Sequence, residues 1–252
     1  MNIAHTIDHT LLAPEATTEQ IDNLCDEARH YKFYSVCILP RWIEHAKKRL
    51  GGSKVKVVTV ISFPHGNDLS TSKALASQQA KNVGADEIDM VIDRGAFLAG
   101  NYGLVNEQIV AVKAACGTAH LKVILETGEL RTLDNVRRAS WLAMMAGADF
   151  IKTSTGKVPV AATPPVTIVM LQAVRDYYAL TGTRIGVKPA GGIRTSKDAI
   201  KYLVLIKETA GEAWLTPDLF RFGASTLLND LLLQRQRMAT GHYSGPDYVT
   251  ID

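Results

Sequence analysis

A lysine bonds covalently to an aldehyde only as the free amine. With an ordinary pKa of about 10.4, it is neutral in about one molecule in 2,500 at pH 7. Two lysines of this chain stand where that chemistry can be arranged: Lys152 in Phe150-Ile151-Lys152-Thr153 and Lys188 in Ile185-Gly186-Val187-Lys188-Pro189. Each closes a short apolar run with strand character, and the two runs are consecutive strands in the pattern set out below. Neighbouring strands lie about 4.8 Å apart, so side chains at matching height bring two ammonium groups together. At an effective dielectric of about 20, charges about 5 Å apart repel by about 3 kcal/mol, or about two pKa units. A shift of that size gives about a hundredfold more nucleophile. A strand-end lysine is otherwise an anion ligand or half of an ion pair, and that reading stands beside the catalytic one.

Carboxylates are placed to complement such a pair. Asp89 interrupts the apolar run Glu87-Ile88-Asp89-Met90-Val91-Ile92, where a buried carboxylate needs a cationic partner, either a cavity lysine or a core salt bridge. Asp8, in Ile7-Asp8-His9-Thr10, and Glu126, after the fifth apolar run, are further candidates to face the cavity. Small residues follow the last three runs: Ser154-Thr155-Gly156-Lys157, Ala190-Gly191-Gly192-Ile193-Arg194 and Gly223-Ala224-Ser225-Thr226. Each set by itself reads as an ordinary turn. Three converging at one end of a barrel favour a phosphorylated ligand, because glycines let backbone N–H groups approach an anion.

These residues need a scaffold that brings strand ends together. Short β-branched runs alternate with longer amphipathic segments about eight times in 252 residues, the pattern of repeated βα units. The expected strands are Ala4 to Asp8, Ser35 to Leu39, Val55 to Ile61, Glu87 to Ile92, Lys122 to Glu126, Phe150 to Thr153, Ile185 to Lys188 and Phe220 to Phe222. Helices are expected at Thr18 to Tyr31, with capping-box spacing between Thr17 and Gln20, and at Thr71 to Val83. Gly84-Ala85-Asp86 and Gly147-Ala148-Asp149 are internal echoes, each marking a helix end that turns into a strand. A doubly wound sheet shows the same alternation, but count and length favour a single-domain (β/α)8 TIM barrel over residues 1–252. Residues 241–252 are expected to form a flexible tail.

Composition narrows the function classes. Lys and Arg number 28 against 25 Asp and Glu and are scattered, so no basic stripe offers a track for nucleic acid. The N-terminus lacks the pattern of a signal peptide and no apolar run reaches membrane-spanning length, so neither a membrane partner nor a compartment other than the cytoplasm is expected. Cys25, Cys37 and Cys116 are odd in number and far apart, which favours reduced thiols over disulfides or a zinc site. Among seven histidines, His5 and His9 flank a strand rather than share a helical face, and His65 is a lone loop candidate. No metal is expected.

The motifs Phe150-Ile151-Lys152-Thr153-Ser154-Thr155-Gly156-Lys157, Val187-Lys188-Pro189-Ala190-Gly191-Gly192 and Ile7-Asp8-His9-Thr10-Leu11-Leu12 closely resemble the deoxyribose-phosphate aldolase family. Ser62-Phe63-Pro64-His65-Gly66, Gly84 to Asp89, Glu126-Thr127-Gly128-Glu129-Leu130 and Arg221 to Ser225 extend the resemblance over nearly the whole chain. It implies a (β/α)8 barrel, commonly a homodimer, that needs no cofactor and reversibly cleaves 2-deoxy-D-ribose 5-phosphate to D-glyceraldehyde 3-phosphate and acetaldehyde. By position in the motifs, Lys152 is expected to form the Schiff base, Lys188 to tune it, and Asp89 to join Lys188 in proton transfer. Phosphate contacts are expected at Gly156, Lys157, Gly191, Gly192, Gly223 and Ser225, with Thr155, Arg194 and Thr226 beside them. Asp8 and Cys37 are expected near the substrate, Cys37 as a packed thiol rather than a reactive one.

Ala13 stands where many relatives place a lysine, and Leu39 where a more polar or aromatic residue is common; both are expected to reshape the pocket edge. The tail does not end in the glycine-rich run and terminal tyrosine of some relatives, so neither Tyr243 nor Tyr248 is given a role. Two other classes stay open on the residues alone. A sugar-phosphate isomerase would use Glu126 or His65 as its base, and a sugar-phosphate sensor would use both lysines only as anion ligands.

Overall fold

The computed structural model describes residues 3–242. Eight parallel strands form one curved sheet: β1 Ile7–Leu11, β2 Ser35–Ile38, β3 Lys56–Ile61, β4 Glu87–Val91, β5 His120–Ile124, β6 Phe150–Lys152, β7 Gly186–Lys188 and β8 Phe222–Ala224. Each strand lies beside its sequence neighbours, and β8 returns to β1, with Asp8 opposite Gly223. The last seam, between β7 and β8, is closed by a few backbone bonds, including Arg221 N–H to Val187 O and Gly223 N–H to Pro189 O, at 3.2 and 3.0 Å.

Helices cover the outside: α1 Thr18–His30, α2 Ile43–Arg49, α3 Ser70–Val83, α4 Arg94–Leu98, α5 Tyr102–Cys116, α6 Leu133–Met145, α7 Pro164–Thr181, α8 Ser196–Thr209 and α9 Leu227–Thr240. Their inner faces and the outward-pointing strand residues make a continuous apolar layer, with Ile21, Ile43, Ile109, Met170, Leu171 and Ile206 among its fully buried members. Among the described residues no helix is long and apolar enough to cross a membrane. The three cysteines are buried and unpaired.

The capping box at Thr17 and Gln20 forms as expected, each side chain bonded to the other's backbone N–H. The two Gly-Ala-Asp echoes are one device used twice. In both, the glycine takes a positive φ at the helix end, and the aspartate carboxylate accepts the first free amide of the preceding strand. Asp86 takes the N–H of Val57 and Asp149 that of Leu121, each at 2.7 Å.

Strand limits differ from expectation by more than one residue at three places. The first strand begins at Ile7 rather than Ala4, because Ile3–Thr6 winds into a 3-10 turn in which the Thr6 hydroxyl donates to Ile3 O at 2.7 Å. A local side-chain bond of this kind competes with sheet pairing. The fifth strand runs from His120 to Ile124, since Glu126 has left the extended region at φ 54°. The eighth is displaced to Phe222–Ala224, leaving Phe220 and Arg221 to the β7 seam. The expected tail at 241–252 starts at Gly241, which terminates α9; residues 243–252, with Tyr243 and Tyr248, lie outside the described residues.

Close packing inside the barrel fixes the strand spacing. Gly186 faces the buried ring of Phe150, and a Cβ there would lie 2.2 Å from Phe150 Cε1. Gly186→Ala is therefore expected to destabilise the fold by about 1–3 kcal/mol, the usual cost of overpacking. Urea unfolding would register this as a lower midpoint with an unchanged slope.

Candidate active site

The barrel interior has two halves of different character. On the side of the first three strands, Leu12, Cys37, Val58 and Val60 form a small apolar cluster, with Leu39 and Phe63 packed against it. On the side of β4 to β7 the interior is ionic. Alternation along β4 turns Glu87 and Asp89, two residues apart, to the same inner face, while Ile88 and Met90 join the outer apolar layer. Facing them are Lys122 from β5, Lys152 from β6, Lys188 from β7 and Arg221 from the segment entering β8. Register sets their heights: Lys152 is the direct partner of Lys188, and Asp89 of Lys122.

The expected juxtaposition of the two lysines therefore holds, with one addition. They meet across a single carboxylate oxygen. Lys152 Nζ lies 2.8 Å and Lys188 Nζ 2.9 Å from Asp89 Oδ2, while Lys122 Nζ lies 2.9 Å from the other oxygen. Lys188 also reaches Asp8 Oδ2 at 2.5 Å. The network continues toward the barrel floor, where Lys122 pairs with Glu87 at 2.6 Å and Arg221 bridges Asp8 and Glu87 at 3.1 and 3.2 Å. The Arg221 guanidinium is stacked 3.3 Å from the centroid of the Tyr34 ring, and its Nε donates to Pro217 O. Ser35 Oγ donates to Asp8 at 2.7 Å.

Mutual compensation sets the charges. Burial pushes the Asp8 and Asp89 carboxyls up, but the surrounding lysines, joined at Asp8 by Arg221, outweigh it and hold both below their ordinary values. Burial alone would lower Lys188; Asp8 and Asp89 reverse this and raise it, so it stays an ammonium ion. Lys122 is raised against burial in the same way by Asp89 and Glu87. Burial pushes the Cys37 thiol up, which keeps it from being a thiolate nucleophile.

Above this network lies an open cavity of about 770 Å³. Lys152 lines it, together with nine of the expected phosphate contacts: Thr155, Gly156, Lys157, Gly191, Gly192, Arg194, Gly223, Ser225 and Thr226. Leu11, Leu12 and Ala13 form another stretch of the wall. The loops after β6 and β7 touch. Gly191, at φ 80°, sits where a Cβ would meet Ala161 Cβ at 2.6 Å and Gly156 Cα at 3.2 Å. The cavity also meets the N-terminal ends of α8 and α9. Asp230 already accepts the first amide and the hydroxyl of Ser196 at the start of α8, whereas Thr226 leaves α9 without a side-chain cap.

The structure separates the remaining candidates. Asp8 and Asp89 belong to the buried network beneath the cavity, and Lys188 sits there with them, completely buried. Cys37 packs in the apolar cluster rather than on the cavity wall. Of the two departures from the family pattern, Ala13 lines the cavity and Leu39 packs beside Cys37. Neither base of the isomerase reading lines the cavity: His65 is exposed, and both Glu126 oxygens face Thr155. Lys122, Glu87 and Arg221 were not singled out from the sequence. The Glu87-x-Asp89 spacing is a signal that both carboxylates share a strand face, and Arg221 in a buried aromatic run needs an anion.

Glu87 makes the network testable in acid. Burial would raise its carboxyl, but Lys122 and Arg221 bring it down to about 2 from an ordinary 4.5. The unfolded chain then takes up the proton first, so the stability Glu87 contributes is full above about pH 4.5 and is lost as pH falls through about 2. Glu87→Gln is expected to be less stable at pH 7 and to show a shallower fall in stability across that window. Urea titrations at fixed pH would measure it, and equal slopes in the two proteins would assign the acid sensitivity to other groups.

Comparison with known proteins points in one direction. The profile described as DeoC/LacD family aldolase matches residues 3–232. The chain is 44% identical to the deoxyribose-phosphate aldolase of Homo sapiens over 257 residues, covering 94% of this chain and 81% of that one. Among solved structures, a chain described as QR15, an aldolase, is 28% identical with a TM-score of 0.78, covering 95% of this chain and 98% of that one. A deoxyribose phosphate aldolase from Aeropyrum pernix, described as a tetramer, is 29% identical with a TM-score of 0.73, covering 95% and 92% of the two chains.

Proposed function

The chain belongs to the DeoC/LacD aldolase family, and on that premise we propose that it reversibly cleaves 2-deoxy-D-ribose 5-phosphate through an imine on Lys152. One observation carries the reading: among the interior lysines Lys152 lines the cavity, and the oxygen it touches is shared with Lys188. The interior holds four cationic side chains, Lys122, Lys152, Lys188 and Arg221, around three carboxylates, Asp8, Glu87 and Asp89. A free amine at Lys152, the form that attacks a carbonyl, leaves that interior balanced.

The steps follow from these positions. Lys152 Nζ adds to the aldehyde carbon of the open-chain sugar and expels its oxygen as water, giving a protonated imine. The bond between carbons two and three breaks, its electron pair moves toward the imine nitrogen, and the hydroxyl on carbon three loses its proton to become the aldehyde of glyceraldehyde 3-phosphate. The enamine left on Lys152 takes a proton at its terminal carbon and hydrolyses to acetaldehyde and the free amine. Asp89, joined to both lysines, is positioned to relay these protons with Lys188 through water. Thr155 to Lys157, Gly191, Gly192, Arg194, Gly223, Ser225 and Thr226 would grip the phosphate at the far end of the cavity, and that remote binding would orient the reacting carbons.

Borohydride reduction with acetaldehyde or deoxyribose 5-phosphate, followed by peptide mass spectrometry, is expected to give a substrate-dependent adduct on Lys152. Lys152→Arg keeps the charge but cannot form the imine, so it should lose both adduct and turnover while still binding the sugar phosphate. Retained turnover would overturn the mechanism; lost turnover with no wild-type adduct would favour the isomerase.

Lys188→Leu removes the cation that shares Asp89 Oδ2 with Lys152 and leaves Asp8 and Asp89 one partner short. Trapping with acetaldehyde is expected to slow at pH 7. An unchanged trapping rate in a folded variant would remove Lys188 from the tuning of the nucleophile.

A further inference from the structure

Glu126 is a buried carboxylate that the proposed mechanism does not use. It follows β5 in a left-handed backbone conformation, φ 54° and ψ 58°, which a residue with a Cβ adopts only when its surroundings hold it there. Those surroundings are specific. The Glu126 oxygens accept the N–H of Thr155 at 3.2 and 3.3 Å and its hydroxyl at 2.5 Å, and Thr155 Oγ1 in turn accepts the N–H of Lys157 at 3.0 Å. The hydroxyl has one proton. While Glu126 is ionised that proton points at the carboxylate, so a lone pair of Thr155 is turned toward Lys157. The two amides flanking Gly156 are thus taken up behind the turn, and Gly156 itself faces the cavity.

Arg94, the first residue of α4, closes the other side. Its Nη1 lies 3.6 Å from Glu126 Oε2 and 3.0 Å from Glu129 Oε2, and its Nη2 donates to His65 O at 2.8 Å. Burial pushes the Glu126 carboxyl up, against the opposing bonds from Thr155 and the charge of Arg94. The loops also interlock sterically, since a Cβ on Gly128 would lie 2.2 Å from Val160 O. The segments after β3, β4, β5 and β6 therefore meet where the half-buried Arg94 pairs with the buried Glu126, although neither residue lines the cavity.

We propose that Arg94 and Glu126 are positioning residues that hold the turn at residues 155–157 in its anion-gripping shape, and so set this enzyme's preference for phosphorylated over unphosphorylated sugars. This rests on the phosphate-site reading given above. Glu126→Gln turns one of the two oxygens that face the Thr155 amide into an N–H donor and removes the charge that faces Arg94. Arg94→Met keeps the length of the stem and removes the charge that offsets Glu126 so near a bound phosphate.

The test compares 2-deoxyribose 5-phosphate with 2-deoxyribose in wild type, Arg94→Met and Glu126→Gln. For both substituted positions KM for the phosphorylated sugar is expected to rise about tenfold, the loss of one charge-assisted bond, with kcat within about twofold. The kcat/KM for 2-deoxyribose and the rate of borohydride trapping with acetaldehyde, neither of which involves a phosphate, should stay at the wild-type level. Equal losses on both sugars, or an unchanged KM in a folded Glu126→Gln, would overturn the assignment. If wild type itself draws no advantage from the phosphate, it is the phosphate-site reading that fails, and the wild-type measurement alone reveals it. Should Arg94→Met not fold, Glu126→Gln decides the matter by the same comparison.

Discussion

Everything in the barrel interior is arranged around the Asp89 carboxylate. One of its oxygens holds Lys122, the other is shared by Lys152 and Lys188, and the surrounding lysines keep it ionised although it is fully buried. A lone buried carboxylate would be costly enough to take a proton; with three lysines around it, it becomes the point at which β4, β5, β6 and β7 are tied together. Small residues at Gly186 and Gly223 make room for the neighbours of that point, Phe150 and the Lys188 stem. Replacing any single member strands the charge of another, so the network tolerates change poorly even where it contributes little net stability.

The fold assigns different tasks to its two surfaces. Outward-facing strand residues and the inner faces of the helices supply the apolar burial that drives folding. The inside of the sheet is thereby released for polar work, and β4 to β7, with Asp8 of β1, use it for charge while Leu12, Cys37, Val58 and Val60 fill the apolar share. Loops at the C-terminal ends of the strands then complete the cavity above. An amine placed at the boundary between a dry ionic floor and an open mouth is shielded by the first and supplied with substrate through the second.

Much of this can be read from the residues. The two lysines stand at matching height because their runs are consecutive and both stop just before a glycine-containing loop, and that inference needs only strand spacing. The loop glycines and the Lys157 and Arg194 side chains share one cavity because a barrel gathers strand ends. Lys122, Glu87 and Arg221 are harder, since they lie near the starts of their strands, where charged residues are common for reasons of solubility, and the depth of the interior depends on register. Ala4 reads as a strand residue because β-branched neighbours look the same in a short turn, and the Thr6 hydroxyl bond that winds Ile3–Thr6 into a 3-10 turn is local. Glu126 is one of several candidates to face the cavity; its left-handed backbone turns it to Thr155, and no periodicity announces that.

The bond between Asp8 and Arg221 joins residues 213 positions apart, the first strand to the segment that leads into the last. A ribosome delivers the chain from one end, so Asp8 emerges long before the cation that makes its burial tolerable. Lys188 reaches Asp8 and Lys122 reaches Glu87 earlier in the chain, but only the segment entering the eighth strand brings one cation within hydrogen-bonding distance of both carboxylates, so the floor of the barrel is finished by its last strand.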